Sequence, residues 1–128
     1  MGGAVTSSEV EARSEAEPVV KRGGESHAPV PPDYHATIEL IGRRWAGAIL
    51  WVLAERPCFF AELVQAVPGL SDRLLSRRLR ELEAEGLIER AVHPGTPARV
   101  SYALTEKGRA LSPVLRDLRA WARRWNYH

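Results

Sequence analysis

Four arginines within eight residues, Arg73, Arg77, Arg78 and Arg80, together with Ser76, are the side chains whose types and spacing could do chemistry. A guanidinium presents N–H donors in a rigid fork that matches phosphate oxygens or the paired acceptors of a guanine edge, and a hydroxyl adds a short adaptable donor. Leu75, Leu79 and Leu82 are spaced four and three apart, so at the helical period they make one narrow apolar stripe. Arg73, Arg77 and Arg80 fall opposite that stripe with Ser76 on its flank, while Glu81, Glu83 and Glu85 load the far end with negative charge. The basic half is the N-terminal half, where the helix dipole also favours anions. A solvated surface helix would show the same amphipathic pattern, so the neighbouring elements must discriminate.

Those elements have readable starts and stops. Ser71 is a helix-capping residue and Gly86 a helix-ending one, bracketing a helix of about four turns over residues 71–85. Pro68-Gly69-Leu70 ahead of it spells a tight turn, and residues 60–67 before the turn spell a short helix with Phe60, Leu63, Val64 and Val67 inward. Two short helices joined by such a turn are the helix-turn-helix pattern, in which the second helix enters the major groove of DNA. After Gly86 the residue types change to those of strands: residues 87–92, a Pro/Gly tip at 93–98, then residues 99–104 predict a hairpin placed as a wing. A short extended piece is expected at Cys58-Phe59.

Two longer helices flank this unit. Ile38, Ile41, Trp45, Ala48 and Val52, widened by Leu40, Ile49 and Leu53, predict one core helix from near Tyr34 to near Glu55, broken by Arg56-Pro57. Thr105 caps a terminal helix with Glu106 in its first turn, and its seam runs Leu111, Leu115, Leu118, Ala122, Trp125, widened by Val114 and Trp121. Pro113 is expected to kink or restart that helix. So long a seam exceeds what a small core can cover, which predicts a dimer interface built from Ile38, Trp45, Leu111, Leu115, Leu118, Trp121 and Trp125.

Composition narrows the classes. The 128 residues suffice for one domain with a modest core. Residues 1–32, rich in Gly, Ser, Glu, Ala and Pro, read as a loosely ordered arm closed by Pro29, Pro31 and Pro32, with the folded domain over 33–128. Residues 1–34 carry three Lys/Arg against six Asp/Glu, whereas residues 35–128 carry 15 against ten, a net +5 that suits a polyanion. The single cysteine excludes an intramolecular disulfide framework. No apolar run approaches the roughly 18 residues of a membrane span, and the acidic N-terminus has no signal-peptide core, so no membrane partner and a cytoplasmic location are expected. His27, His35, His93 and His128 lack metal-ligand spacing. With no paired carboxylates, nucleophile–base set or phosphate loop, the chain is expected to be no enzyme and to need no cofactor.

In order and spacing, Ile41-Gly42-Arg43-Arg44-Trp45, Phe60-Ala61-Glu62-Leu63, Pro68-Gly69-Leu70-Ser71, Leu79-Arg80-Glu81-Leu82-Glu83 with Gly86-Leu87-Ile88, Tyr102-Ala103-Leu104-Thr105-Glu106-Lys107-Gly108 and Pro113-Val114-Leu115 resemble the HxlR-type winged helix-turn-helix transcriptional regulators, relatives of the MarR group. The resemblance covers about residues 33–125 and implies an α+β fold, mainly helical with a small β-hairpin, dimerised through terminal helices. It further implies a homodimer on a pseudo-palindromic operator in double-stranded DNA, expected to repress. By position it gives base-edge contacts to Asp72, Arg73, Ser76 and Arg77. Arg80, farther from the helix start, is then expected at phosphate, and Arg99 is the wing candidate at backbone or minor groove. One departure stands out: the sensor cysteine that many members carry about thirteen residues before the motif tryptophan is replaced here by Pro32.

Other readings compete with these. Cys58 is most simply a small buried apolar residue, or else a substitute redox sensor whose thiol Arg56 would activate. Trp45, Trp51, Trp121 and Trp125 are most simply packing residues, or Trp45, Trp51 and Trp121 line a pocket for an aromatic small-molecule effector. The whole unit could instead be a protein-interaction scaffold or an RNA-binding winged helix, although a groove-entering helix suits duplex DNA better than deep-grooved RNA.

Overall fold

The computed structural model describes residues 20–22 and 25–125. The arm expected over residues 1–32 lies largely outside the described residues, as does His128. Within it, β1 (Val20–Arg22) pairs antiparallel with β2 (Glu25–His27). The described residues fall into two compact units that part between Arg43 and Arg44, eleven residues beyond the boundary expected from composition.

The first unit ends in α1 (Pro32–Ile41). Pro32, at the position where the resemblance looks for a cysteine, supplies the first helical residue, where a missing N–H costs nothing.

The single core helix expected over residues 34–55 is two helices. Gly42 closes α1, donating its N–H to Ile38 O at 2.8 Å, and α2 (Ala46–Glu55) starts anew after Trp45. Trp45 has φ 79°, a left-handed backbone that no helix interior accommodates. The apolar spacing of three and four continues in the sequence across the break, so periodicity alone could not reveal it. Trp45 consequently leaves the helical seam: its ring edge reaches within 3.7 Å of where a Cβ on Gly69 would lie.

The second unit continues through β3 (Cys58–Phe59), α3 (Phe60–Ala66), α4 (Asp72–Ala84), β4 (Ile88–His93), β5 (Arg99–Leu104) and α5 (Glu106–Arg124). The strands form one antiparallel sheet in the order β3-β5-β4, with Cys58 opposite Tyr102 and Ile88 opposite Leu104. Ile49, Leu50, Leu63, Leu75, Leu79, Leu82 and Ile88 are the fully buried centre, so α2, α3, α4 and the base of the hairpin share one core.

α5 runs unbroken through Pro113. The proline removes one ladder bond, yet Ser112 and Leu115 on either side are buried, and Gly108 one turn before lets the helix approach the hairpin base: a Cβ there would lie 2.1 Å from Leu87 O. Of the kink or restart expected at Pro113, the restart does not occur, because packing holds the helix continuous.

Candidate nucleic-acid interface

Local chemistry fixes the presentation of α4. Ser71 Oγ accepts from Leu74 N at 3.1 Å, closing the first turn as expected of an N-cap. At the other end Gly86 adopts φ 77°, and Leu87 N donates to Leu82 O at 3.0 Å. Lys107 Nζ donates to Glu85 O at 2.7 Å and Thr105 Oγ1 to Gly86 O, tying the end of the helix to α5. Upstream, Glu62 accepts from Phe59 N at 2.8 Å and pairs with Arg56 at 3.0 Å; the Arg56 hydrogen bond holds its carboxyl below the usual range. The short helix α3 is thereby anchored to the strand before it.

With Leu75, Leu79 and Leu82 buried, the opposite side of α4 must face out. Asp72, Arg73, Arg77 and Arg80 are exposed and Ser76 is half-buried, as the spacing predicts. The arginines divide by use. Arg78 is half-buried, donating from Nε to Arg44 O at 2.8 Å and pairing with Glu81 at 3.1 Å. Among the described residues, the guanidinium groups of Arg73, Arg77 and Arg80 make no hydrogen bond or ion pair with another residue. A fold that uses one arginine internally and leaves the other three pointing outward offers them for an external anion.

The hairpin stands where a wing is expected, with a cis Thr96–Pro97 bond in its tip. Its two faces differ. Arg99 stacks over Phe59, with its guanidinium carbon 3.6 Å from the ring centroid. His93, opposite Arg99 in the ladder, lies edge-on to the same ring at 5.3 Å, and its Nε2 is 2.8 Å from Ser101 Oγ. Arg99 is therefore fixed at the tip end of the wing ladder by a cation–π contact. On the other pleat face, Arg90 lies opposite Tyr102. Ser76, Arg80, Glu83, Arg90 and Tyr102 line a cleft of about 400 Å³ between α4 and the hairpin. Sequence reasoning missed Arg90; the signal was the two-residue alternation from buried Ile88, which puts Arg90 on the same side of the strand.

The residues expected at a dimer interface separate into two groups. Leu115 is buried and Leu111 half-buried, because α5 packs on α2 and β5 over this stretch; they serve the chain's own core. Trp45 is in the turn described above, half-buried. Leu118, Trp121 and Trp125 remain 52–61% exposed, and Ile38 on α1 is 45% exposed.

The expected tryptophan pocket is also redrawn. A groove of about 320 Å³ between α2 and α5 is lined by Trp51, Ala54, Glu55, Ser112, Leu115 and Arg116, with neither Trp45 nor Trp121 in its wall. Cys58 is buried, with its Sγ 3.5 Å from Arg56 O. Burial pushes its thiol up, and the opposing pull of Arg56 does not offset this, which favours the buried apolar reading of Cys58 over the redox-sensor alternative. Among the described residues no helix is long and apolar enough to cross a membrane.

Residues 40–128 match the family described as HxlR-like helix-turn-helix. The HTH-type transcriptional regulator YvaP of Bacillus subtilis (strain 168) is 42% identical over 94 residues, covering 73% of this chain and 87% of that protein. YodB of the same organism is 43% identical over 91 residues, 71% of this chain and 81% of its own length. The structure of reduced YodB from B. subtilis superposes with a TM-score of 0.67 at 41% identity, covering 73% of this chain and 92% of that one. The redox regulator HypR in its reduced form gives 0.68 at 33% identity over 71% of this chain and 90% of its own. A helix-turn-helix with outward arginines, a wing beside it and these likenesses lead to one assignment: the chain belongs to the HxlR-like helix-turn-helix family and is a DNA-binding transcriptional regulator.

Proposed function

We propose that this regulator is a repressor that binds a pseudo-palindromic operator as a homodimer in the cytoplasm. The observation that carries the reading is the division of arginines on α4: Arg78 is tied into the fold while Arg73, Arg77 and Arg80 face outward without internal partners. The N-terminal half of α4 enters the major groove, with Asp72, Arg73, Ser76 and Arg77 at base edges and Arg80 at phosphate. Arg99, fixed on Phe59, stands beside the backbone at the wing. The second copy covers the exposed Leu118, Trp121 and Trp125 of α5. A small-molecule effector would sit in the groove beside Trp51, between Glu55 and Arg116. The related YodB and HypR have structures named for reduced, diamide-treated, quinone-bound and oxidised forms. In this chain the corresponding signal would have to reach Cys58 through its burial, so the groove is the favoured input.

Anisotropy titrations of duplexes selected in vitro test the DNA contacts. Each bidentate arginine–guanine contact discriminates by about 1–3 kcal/mol, so Arg77→Ala relaxes base preference at one position of each half-site by that amount. Arg80→Ala weakens every sequence alike and lowers the slope of log K against log salt by about 1. Normal binding by both variants would overturn the assignment.

A further inference from the structure

We infer that Arg90, on the first strand of the wing, joins Arg80 in holding the DNA backbone in the cleft between wing and recognition helix, and that Glu83 on the cleft wall limits how tightly the backbone is held. This rests on the DNA-binding reading above and adds a phosphate ligand from the wing and a brake from the acidic end of the helix.

Strand register places the residue. Ile88 is 2% exposed and faces the core, so Arg90, two residues on, projects from the same face of β4 toward α4. Its cross-strand neighbour Tyr102 is 9% exposed and lines the same cleft. Across the cleft, Ser76, Arg80 and Glu83 are spaced four and three along α4 and so present one face to it.

The donor inventory selects the ligand. Of the five side chains lining this cleft, Arg80, Arg90, Ser76 and Tyr102 can donate hydrogen bonds, and only the Glu83 carboxylate cannot. Among the described residues neither Arg80 nor Arg90 spends its guanidinium on an internal acceptor, even though Glu83 shares their cleft. Arg99, by contrast, is committed to Phe59 on the other pleat face. Two unspent guanidinium forks across one open cleft suit the doubly acceptor-rich phosphodiester. Once the N-terminal half of α4 lies in the major groove, the cleft beside it faces the strand that borders the groove. Glu83 then opposes the same phosphate by like charge.

Anisotropy titrations of wild type, Arg90→Ala and Glu83→Gln on one duplex and on a scrambled duplex, between about 50 and 200 mM salt, test the inference. A lost phosphate contact changes the salt slope by about 0.9, so the affinity ratio of wild type to Arg90→Ala shrinks about 3.5-fold over that range, equally on both duplexes. Glu83→Gln tightens binding to both duplexes, most at low salt. Arg90 and Glu83 are exposed, and unchanged thermal melting will confirm that both variants fold. An unaltered slope in Arg90→Ala, or a loss confined to one sequence, overturns the role of Arg90. Unchanged or weaker binding by Glu83→Gln overturns the brake. If wild type itself binds no duplex, the DNA reading falls and takes this inference with it; if wild type binds and only the variants behave like it, the inference alone falls.

Discussion

α4 and α5 begin with the same device and end with opposite surfaces. Ser71 caps one through Leu74 N and Thr105 caps the other through Gly108 N, each at 3.1 Å. Both carry apolar residues at spacings of three and four. On α4 every member of the stripe is covered: Leu75, Leu79 and Leu82 are at most 1% exposed. On α5 cover stops at Leu115, leaving Leu118 57% and Trp125 61% exposed. The uncovered part of α4 is cationic and the uncovered part of α5 is apolar. Amphipathic period therefore predicts a helix, whereas the chemistry left outside after packing predicts the partner: a polyanion for one and a second apolar surface for the other.

The largest expected effect breaks the covered stripe. Leu79→Ala removes a fully buried side chain from the shared core and is expected to lower unfolding free energy by about 2–5 kcal/mol in chemical denaturation. Leu118→Ala, on the exposed half of α5, leaves the stability of the isolated subunit unchanged within about 0.5 kcal/mol. Equal losses in the two variants would mean that Leu118 is covered within its own chain.

The next effect concerns association. If α5 meets a second copy, Leu118→Glu forfeits the burial of a leucine, worth about 1.5–3 kcal/mol, and raises the dimer dissociation constant roughly ten- to hundredfold. Sedimentation at micromolar concentration should then show monomer where wild type shows dimer. Identical sedimentation of the two proteins would remove α5 from the interface.

What the sequence shows and what it hides follows from the range of the forces involved. The α4 boundaries, the hairpin and the outward arginines were legible because caps, Gly86 and periodicity act within a few residues. The break at Gly42 to Trp45 was not, because the apolar residues keep their spacing of three and four in the sequence through it; Gly42 itself was the overlooked signal. Continuity through Pro113 depends on packing against α2 and β5 and on Gly108 fitting against Leu87 O, contacts that no local signal announces. Leu115 and Leu118 look alike in sequence, and only the position of α2 and β5 decides that one is core and the other surface. Arg99 looked like a free wing cation, but its commitment to Phe59 arises from strand pairing that composition does not reveal.

The smallest effect separates the two caps. Ser71→Ala and Thr105→Ala each remove one side-chain acceptor from a helix start, a loss of about 1 kcal/mol. Thr105 also donates to Gly86 O, and it is half-buried, so its replacement leaves that carbonyl unpaired and costs the more of the two. DNA affinity should rank them the other way. Ser71 holds the turn that carries Arg73, so its loss lets the readers fray and weakens binding measured well below the melting temperature, whereas Thr105→Ala disturbs the far end of the unit. Thermal melts and anisotropy on the same two variants give both rankings. A single ranking in both measurements would mean that α4 positions its arginines through the core alone, and that its first turn adds stability without adding recognition.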